Sequence, residues 1–357
     1  INTSKANPQN INRELVCKLR GSVLFFGPLL ARFRQVFLPQ PGGCVIGARP
    51  IDTHLDAFSQ FGVSIAPKKE GYQMELTKEW KGGDILLNEF SVTGTANAML
   101  LAAGLPALTT IKIADQDYQA HELAYCLNQM GAKTELLESH IIHVRGAKTL
   151  KGFKHTLMFD PIEAGTFVVL GIATKSSLTI KNVEYSFLEL FFKKLKEFGA
   201  RFTIHRQKKS SLPSYRNVVD VVLEPFRKLA MDKIQSWIYP GIHTDLQSVL
   251  GVLATQAAGS TLLHDPLFEG RLKYLEEINK MGAEIYFADP HRALINGPTP
   301  LYGTDLGPLD LRGGAALIIA ALLAKGKSAV NNVYQIDRGY EKIEERLKKV
   351  GANIKRV

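Results

Sequence analysis

The most distinctive chemistry in this chain sits in one string, Phe37-Leu-Pro-Gln-Pro-Gly-Gly-Cys-Val-Ile-Gly-Ala-Arg-Pro-Ile-Asp52. Its prolines and paired glycines argue against regular helix or strand. A loop of that length is usually functional. Cys44 stands at its tip, with Arg49 five residues on. A thiol in a glycine loop near a guanidinium ionises more readily and is reactive. Cys17 and Cys126 fall on helix-like stretches, where a small buried apolar cysteine is the ordinary reading. His54, just past the loop, reads as a hydrogen-bonded residue at a helix start. Asp245 heads the apolar stretch 246–254; taken alone, it or Thr244 reads as a helix N-cap. Arginine carries a planar fork that suits carboxylate and phosphate, although any one arginine alone is more often a surface ion pair. No Gly-rich phosphate loop, dinucleotide fingerprint or metal-ligand cluster occurs, so the expectation is no metal and no bound redox cofactor.

These residues belong to a chain of 357 residues, a length that suggests two domains. Hydrophobic residues make up 45% and charged residues 22%, which excludes a mainly disordered chain. No apolar run is long enough for a membrane helix. Three cysteines form neither a disulfide framework nor a zinc-site spacing, and a reducing, cytoplasmic compartment follows as the expectation. The net charge of +10 suits anionic partners, either nucleic acid or small phosphorylated substrates. The basic residues are dispersed, however. The densest local run is Arg206, Lys208 and Lys209, which reads as a solvated loop, and no aromatic-studded nucleic-acid stripe is visible.

The elements that must position these side chains come from a repeat. A helix-like stretch ending in glycine recurs as Phe58-Ser-Gln-Phe-Gly-Val63, Leu127-Asn-Gln-Met-Gly-Ala132, Leu195-Lys-Glu-Phe-Gly-Ala200, Ile278-Asn-Lys-Met-Gly-Ala283 and Leu347-Lys-Lys-Val-Gly-Ala352, at spacings of 69, 68, 83 and 69 residues. Such a glycine fits the left-handed cap of a helix. Strand-like alternation follows, as in Ile141-Ile-His-Val144, with Glu138-Ser-His140 and Asp289-Pro-His291 as hairpin turns. A small-residue helix nearly free of charge precedes each one, over residues 95–103, 165–173, 245–254 and 313–324, and must be buried on most faces. The Lys- and Glu-rich stretches 187–198 and 340–350 read as amphipathic outer helices. One unit is strand, helix, strand, helix, hairpin. The first copy, before Gly62, lacks its opening strand. The fold class is therefore α/β, in two domains of residues 1–158 and 159–357, divided where Asp160-Pro-Ile-Glu163 interrupts the pattern.

Several strings together carry a family resemblance: residues 41–54 of the cysteine loop, Leu19-Arg20, Gly27-Pro-Leu-Leu-Ala-Arg32, Ser91-Val-Thr-Gly-Thr95, Pro161-Ile-Glu-Ala-Gly-Thr166, His243-Thr-Asp-Leu-Gln247, Phe268-Glu-Gly-Arg271, Asp310-Leu-Arg312 and Ile336-Asp-Arg-Gly-Tyr-Glu341. By these the whole chain resembles the UDP-N-acetylglucosamine enolpyruvyl transferases of the EPSP synthase family. The resemblance implies a two-domain inside-out α/β barrel fold of six repeats, closing on substrate between the domains. It implies that a stretch about one repeat long precedes Ile1 and carries a Lys-Asn pair touching phosphoenolpyruvate; without it, turnover should be poor. The implied reaction transfers the enolpyruvyl group of phosphoenolpyruvate to the 3-hydroxyl of UDP-N-acetylglucosamine and releases phosphate, the first committed step of peptidoglycan synthesis.

By the same resemblance Cys44 is the general acid and Asp245 the base. Arg49 and Arg338 meet phosphoenolpyruvate, with Arg271 and Arg312 close by. Arg20, Arg49, Pro50, Ile51, Asp52, Thr53, Ser91, Val92, Thr93, Asp245 and Leu267 contact the nucleotide sugar, the diphosphate lying on the amides at a helix start. Two departures stand out. Glu89 replaces a lysine that many members carry, and Gln116-Asp-Tyr118 replaces a Glu-Pro stretch. The implied partners are the two substrates, with no nucleic acid, no membrane and a monomeric state. The competing readings are the sister transferase acting on shikimate phosphate, a non-catalytic UDP-sugar-binding homologue, and a nucleic-acid binder suggested by charge alone. If Cys44 donates a proton, Cys44→Asp should retain measurable transfer and Cys44→Ser should lose it, because a serine hydroxyl is far too weak an acid. Thiol-directed epoxides should label Cys44; mass spectrometry finding the label on Cys17 or Cys126, or full activity in Cys44→Ser, would overturn that role.

Overall fold

The computed structural model describes residues 2–43, 46–206 and 217–357. Cys44 therefore lies outside the described residues, as do Lys208 and Lys209. The described residues form two units, one of residues 2–43 and 49–157, the other of residues 46–48 and 158–357.

The first unit opens with the short helix α1 (Arg13–Lys18), then α2 (Phe26–Phe33), β1 (Gln35–Pro39), α3 (Asp52–Gln60), β2 (Val63–Lys68) and β3 (Gly71–Leu76). A second repeat follows: β4 (Gly83–Leu86), α4 (Val92–Ala103), β5 (Leu108–Lys112), α5 (Tyr118–Met130), β6 (Lys133–Leu137) and β7 (Ile141–Arg145). Its sheet runs β4-β5-β7-β6, with β4 parallel to β5 and the rest antiparallel. The first repeat has only β1-β3-β2, all antiparallel, because the position of β4 has no counterpart before α2. Contrary to the sequence expectation, residues 37–39 are strand: Pro39 closes β1, an edge strand where a missing N–H is tolerated. Cys17 is also not buried. It is exposed on α1, whereas Cys126 on α5 is half-buried.

The second unit contains α6 (Pro161–Ala173), β8 (Thr179–Glu184), α7 (Glu189–Glu197), β9 (Arg201–Arg206) and β10 (Val218–Glu224). Then come β11 (Lys233–Gln235), α8 (Thr244–Ala254), β12 (Gly259–His264), α9 (Tyr274–Lys280), β13 (Glu284–Asp289) and β14 (Arg292–Gly297). The last repeat is β15 (Asp305–Leu306), α10 (Leu311–Leu323), β16 (Ala329–Val330), α11 (Tyr334–Asp337) and α12 (Ile343–Lys349). Its sheets are β8-β10-β9, β11-β12-β14-β13 and β15-β16. All the sheets of the described residues are open, and none closes into a barrel. The outer helices are shorter than the sequence pattern suggests, since residues 185–187 form a 3₁₀ turn and α12 starts only at Ile343. Among the described residues no helix is long and apolar enough to cross a membrane.

The small-residue helices α4, α6, α8 and α10 form the buried centre of each unit. Small side chains let them approach closely: a Cβ on Gly165 of α6 would lie 2.6 Å from Leu246 Cδ2 of α8. The repeat glycines all have positive φ, from 85° at Gly62 to 110° at Gly131, as a left-handed cap requires. At Gly131 a Cβ would meet nothing within 4 Å, so the constraint there is purely one of backbone conformation. Gly131→Ala should therefore cost about 1–2 kcal/mol of stability, and Gly131→Asn less, read from urea unfolding. Equal stability of Gly131→Ala and wild type would refute the cap argument.

Candidate active site

In the first unit, Gly42 lies against the end of α1, its N–H donating to Val16 O at 3.4 Å. A Cβ on Gly42 would fall 1.5 Å from Cys17 O, so only glycine fits there. Beyond the loop, Arg20 Nη2 donates to Pro50 O at 2.9 Å. Burial, and then the charge of Arg49, hold the Arg20 pKa below its ordinary value. Two guanidinium groups near enough to repel one another make a place where an anion is welcome. Ile51 is buried, Asp52 opens α3 and is exposed, and Thr53 is buried with its hydroxyl donating to Glu89 Oε1 at 2.9 Å. Ser91 caps α4, its Oγ accepting from Gly94 N at 3.1 Å, with Val92 and Thr93 in the first turn.

His54 belongs to this group as a structural residue, with its ring fully specified. Asn97 Oδ1 accepts from Gly27 N at 3.0 Å, so its amide nitrogen must donate, to Val23 O at 2.9 Å and to His54 Nδ1 at 2.8 Å. The His54 proton is then on Nε2, which donates to Thr93 Oγ1 at 3.1 Å. Burial, with the charge of Arg20, lowers the His54 pKa to about 4.

In the second unit, the N-cap of α8 is neither Thr244 nor Asp245. It is His243, whose Nδ1 accepts from Asp245 N at 3.1 Å. That frees the Asp245 carboxylate to face Arg271 Nη2 at 2.8 Å and Arg312 Nε at 3.0 Å. Burial alone would raise its pKa, but Arg312, Arg271 and His243 outweigh it and hold Asp245 well below the ordinary carboxylate range. Arg271 is buried; its Nη1 lies 3.7 Å from Asp310 Oδ1 and its Cζ stands 5.3 Å over the Phe268 ring. Asp310 also caps α10 by accepting from Arg312 N and Gly313 N. Asp265, fully buried, takes the Thr244 hydroxyl at 2.5 Å and the amides of Leu267 and Phe268, which fixes the turn bearing Leu267. Two carboxylates thus alternate with two guanidiniums, and Arg312 Nη1 is left buried without a hydrogen-bond partner.

Asp245, Arg271 and Arg312 are thus brought together, with Leu267 on the adjoining turn. Arg338 is exposed after α11 and donates to Gln335 Oε1 at 3.0 Å, outside that network. In the first unit Arg20, Arg49 and Pro50 form one group, and Thr53, Ser91 and Thr93 gather at the head of α4. Residues 46–48 of the cysteine loop are held in the second unit, where Ala48 N donates to Glu269 Oε1 at 2.6 Å and Gly270 N to Ile46 O at 2.9 Å. Asn97, Asp265 and Asp310 were not singled out by sequence reasoning. Asp310 lies inside a quoted string, which was the one available signal.

The fold is shared with solved enolpyruvyl transferases. NikO from Streptomyces tendae superposes with a TM-score of 0.83 at 23% identity, over 97% of this chain and 79% of that one. An EPSP synthase from Acinetobacter baumannii gives 0.71 at 16% identity, over 94% and 78%. Residues 1–347 match the family profile of EPSP synthase (3-phosphoshikimate 1-carboxyvinyltransferase), and the chain belongs to that family. Within it, the chain is similar to the UDP-N-acetylglucosamine 1-carboxyvinyltransferase of Treponema denticola, at 36% identity over 354 residues, 99% of this chain and 82% of the relative. The enzyme of the same name from Bacteroides thetaiotaomicron is 38% identical over 343 residues, 95% of this chain and 78% of the relative.

The His54 arrangement has a pH consequence. Its pKa is 6.5 in an unfolded chain and about 4 when folded, so the unfolded state takes up the proton first as pH falls. Stability should therefore drop by roughly 3 kcal/mol between pH 6.5 and 4 from this residue. Urea unfolding across that window should show a shallower decline for His54→Gln; an unchanged slope would show that His54 is not the group responsible.

Proposed function

We propose that this chain transfers the enolpyruvyl group of phosphoenolpyruvate to the 3-hydroxyl of UDP-N-acetylglucosamine, releasing phosphate, as the first step of peptidoglycan synthesis. The observation that carries this reading is the 36–38% identity, over 95% or more of the chain, to enzymes of that name. The EPSP synthases of solved structure stand at 16%, so the shikimate-phosphate reading is the weaker one.

The reaction forms a bond from the sugar oxygen to C2 of phosphoenolpyruvate while C3 gains a proton. The C2–O bond to phosphate then breaks and C3 returns a proton as the double bond re-forms. Cys44 is assigned the proton donor. Arg49 and Arg338, with Arg271 and Arg312, are assigned the anionic groups of phosphoenolpyruvate. Asp245 is assigned the sugar hydroxyl. Its carboxylate already accepts two bonds, yet a carboxylate has about four lone-pair sites, so room remains for a hydroxyl. Held so acidic by its arginines, Asp245 is a poor base on its own. An anion bound to those arginines would weaken their field and raise its basicity, coupling co-substrate binding to deprotonation. Arg20, Pro50, Ile51, Asp52, Thr53, Ser91, Val92, Thr93 and Leu267 are assigned to the nucleotide sugar. Supporting this, Arg20 and Arg49 are mutually repelled cations and the first turn of α4 offers amides to a diphosphate. The cytoplasm is the compartment in which both substrates would be met.

Purified protein incubated with phosphoenolpyruvate and UDP-N-acetylglucosamine should release phosphate and give the enolpyruvyl nucleotide by mass spectrometry. Asp245→Asn should lower the rate by at least about 100-fold. Turnover of shikimate 3-phosphate instead would favour the sister activity. Nucleotide-sugar binding without any turnover would favour a non-catalytic homologue.

A further inference from the structure

Thr166 and Tyr340 belong to neither the ion network nor the groups assigned to substrate. In the second unit they meet. Tyr340 is completely buried, and its hydroxyl lies 2.9 Å from Thr166 Oγ1, across 174 residues of sequence. The direction of that bond is settled by counting protons. Thr166 Oγ1 also lies 2.9 Å from Ile162 O, one turn back in α6, and can only donate there. Its single proton is thus used, and Tyr340 must be the donor to Thr166. The lone pairs of the Tyr340 oxygen are left for another group, and that group is Arg312. The Arg312 Cζ stands 5.3 Å over the Tyr340 ring, and the guanidinium also interacts with the hydroxyl.

The segment that carries Tyr340 is fitted closely to α10. A Cβ on Gly339 would come 2.7 Å from Leu311 Cδ2, and one on Gly314 would come 2.6 Å from Ile336 Cγ1. Tyr340 therefore has little freedom to move. Arg312 is held by Asp245 at Nε and by Tyr340 at its face, while its Nη1 stays buried and without a partner. A buried donor left unmade is costly, and a charged one more so, so a fixed orientation of this group toward an incoming anion has value.

We propose that Tyr340, oriented by Thr166, is a positioning residue that fixes the direction of the uncommitted Arg312 Nη1 and so sets affinity for the anionic end of phosphoenolpyruvate. This rests on the enolpyruvyl-transfer reading, and the measurements below separate the two. Tyr340→Phe keeps the buried ring but loses the oxygen that faces Arg312. Thr166→Val keeps the shape but removes the acceptor that orients the tyrosine proton. Thr166→Ser keeps the hydroxyl. The KM for phosphoenolpyruvate should rise about tenfold in Tyr340→Phe and in Thr166→Val. The KM for UDP-N-acetylglucosamine should stay within about twofold, and Thr166→Ser should behave as wild type. The double variant should be no worse than either single one, because both act through one bond. Unchanged KM for phosphoenolpyruvate, an equal rise in both KM values with a lowered Tm, or additive losses in the double variant would overturn the proposal. If wild type shows no transfer, the functional reading fails. The positioning role is then judged by calorimetric titration of the same proteins with inorganic phosphate. Weaker phosphate binding in Tyr340→Phe and Thr166→Val, but not in Thr166→Ser, upholds it; equal affinities, or no phosphate binding by wild type, overturn it.

Discussion

Withdrawing a carboxylate from water costs several kcal/mol unless charges and hydrogen bonds replace the solvent. In the second unit Asp245 meets that requirement with Arg271 and Arg312, and the need propagates outward. Arg271 is itself buried and reaches Asp310. Asp310 is fixed because it caps α10, whose first turn carries Arg312. His243 takes the amide of Asp245, which leaves the carboxylate free of capping duty. The heads of α8 and α10, and the turn after Leu267, are thus tied together by one alternating chain of charges. Removing Asp245 would leave the buried Arg271 with only the 3.7 Å approach of Asp310, which is far worse than never having buried the charge.

Such a cluster demands rigid carriers, and the repeat supplies them. Helices α8 and α10 are without charge along most of their lengths, and their charged residues, Asp245 and Arg312, sit in the first turn. Their small residues allow close packing, and Ser248 Oγ of α8 donates to Arg312 O at 3.0 Å, bonding one buried helix to the head of the next. The same plan in the first unit produces a different end. There the buried polar residues of α4 are neutral: Thr95 holds the amide of Asp115, and Asn97 holds Gly27, Val23 and His54. One helix type therefore presents an ion network in one unit and a neutral amide–imidazole network in the other.

What the sequence made legible was periodic or local. The glycine caps follow from spacing and left-handed backbone, and Gly62, Gly131, Gly199, Gly282 and Gly351 all have positive φ. The buried helices follow from a lack of charge. The site was legible as a set of residues only through family strings; composition and periodicity gave no reaction. Features decided by partners distant in sequence stayed hidden. Proline spacing suggested a loop from Phe37, yet pairing with residues 71–73 makes 37–39 a strand. A cysteine on a helix suggested burial, yet α1 is a short helix that leaves Cys17 exposed. A helix-start rule pointed to Thr244 or Asp245 as the cap, yet Thr244 is drawn to Asp265, 21 residues on, and the imidazole before it takes the role.

The electrostatics of the two units differ in a way that bears on how an anion is received. Around Asp245 the two guanidiniums are matched by two carboxylates, so the network is close to neutral and can be held largely out of water. On the proposed reading, its capacity to bind an anion lies in a directed donor, the buried and unpartnered Arg312 Nη1, more than in net charge. Around Arg20 the situation is reversed: the neighbouring charge that, after burial, lowers its pKa is another cation, Arg49. That pair gains most from an anion and is more open to water, so its attraction is weakened by salt. A dispersed surplus of +10 adds a long-range field that favours negative ligands of any kind. On the proposed reading, selection among those ligands falls to fixed directions: the His54 proton on Thr93, the Asp265 turn at Leu267, and the Arg312 fork. Charge can gather anions, but only hydrogen bonds of defined direction, set by the buried residues that hold each donor in place, can tell one anion from another.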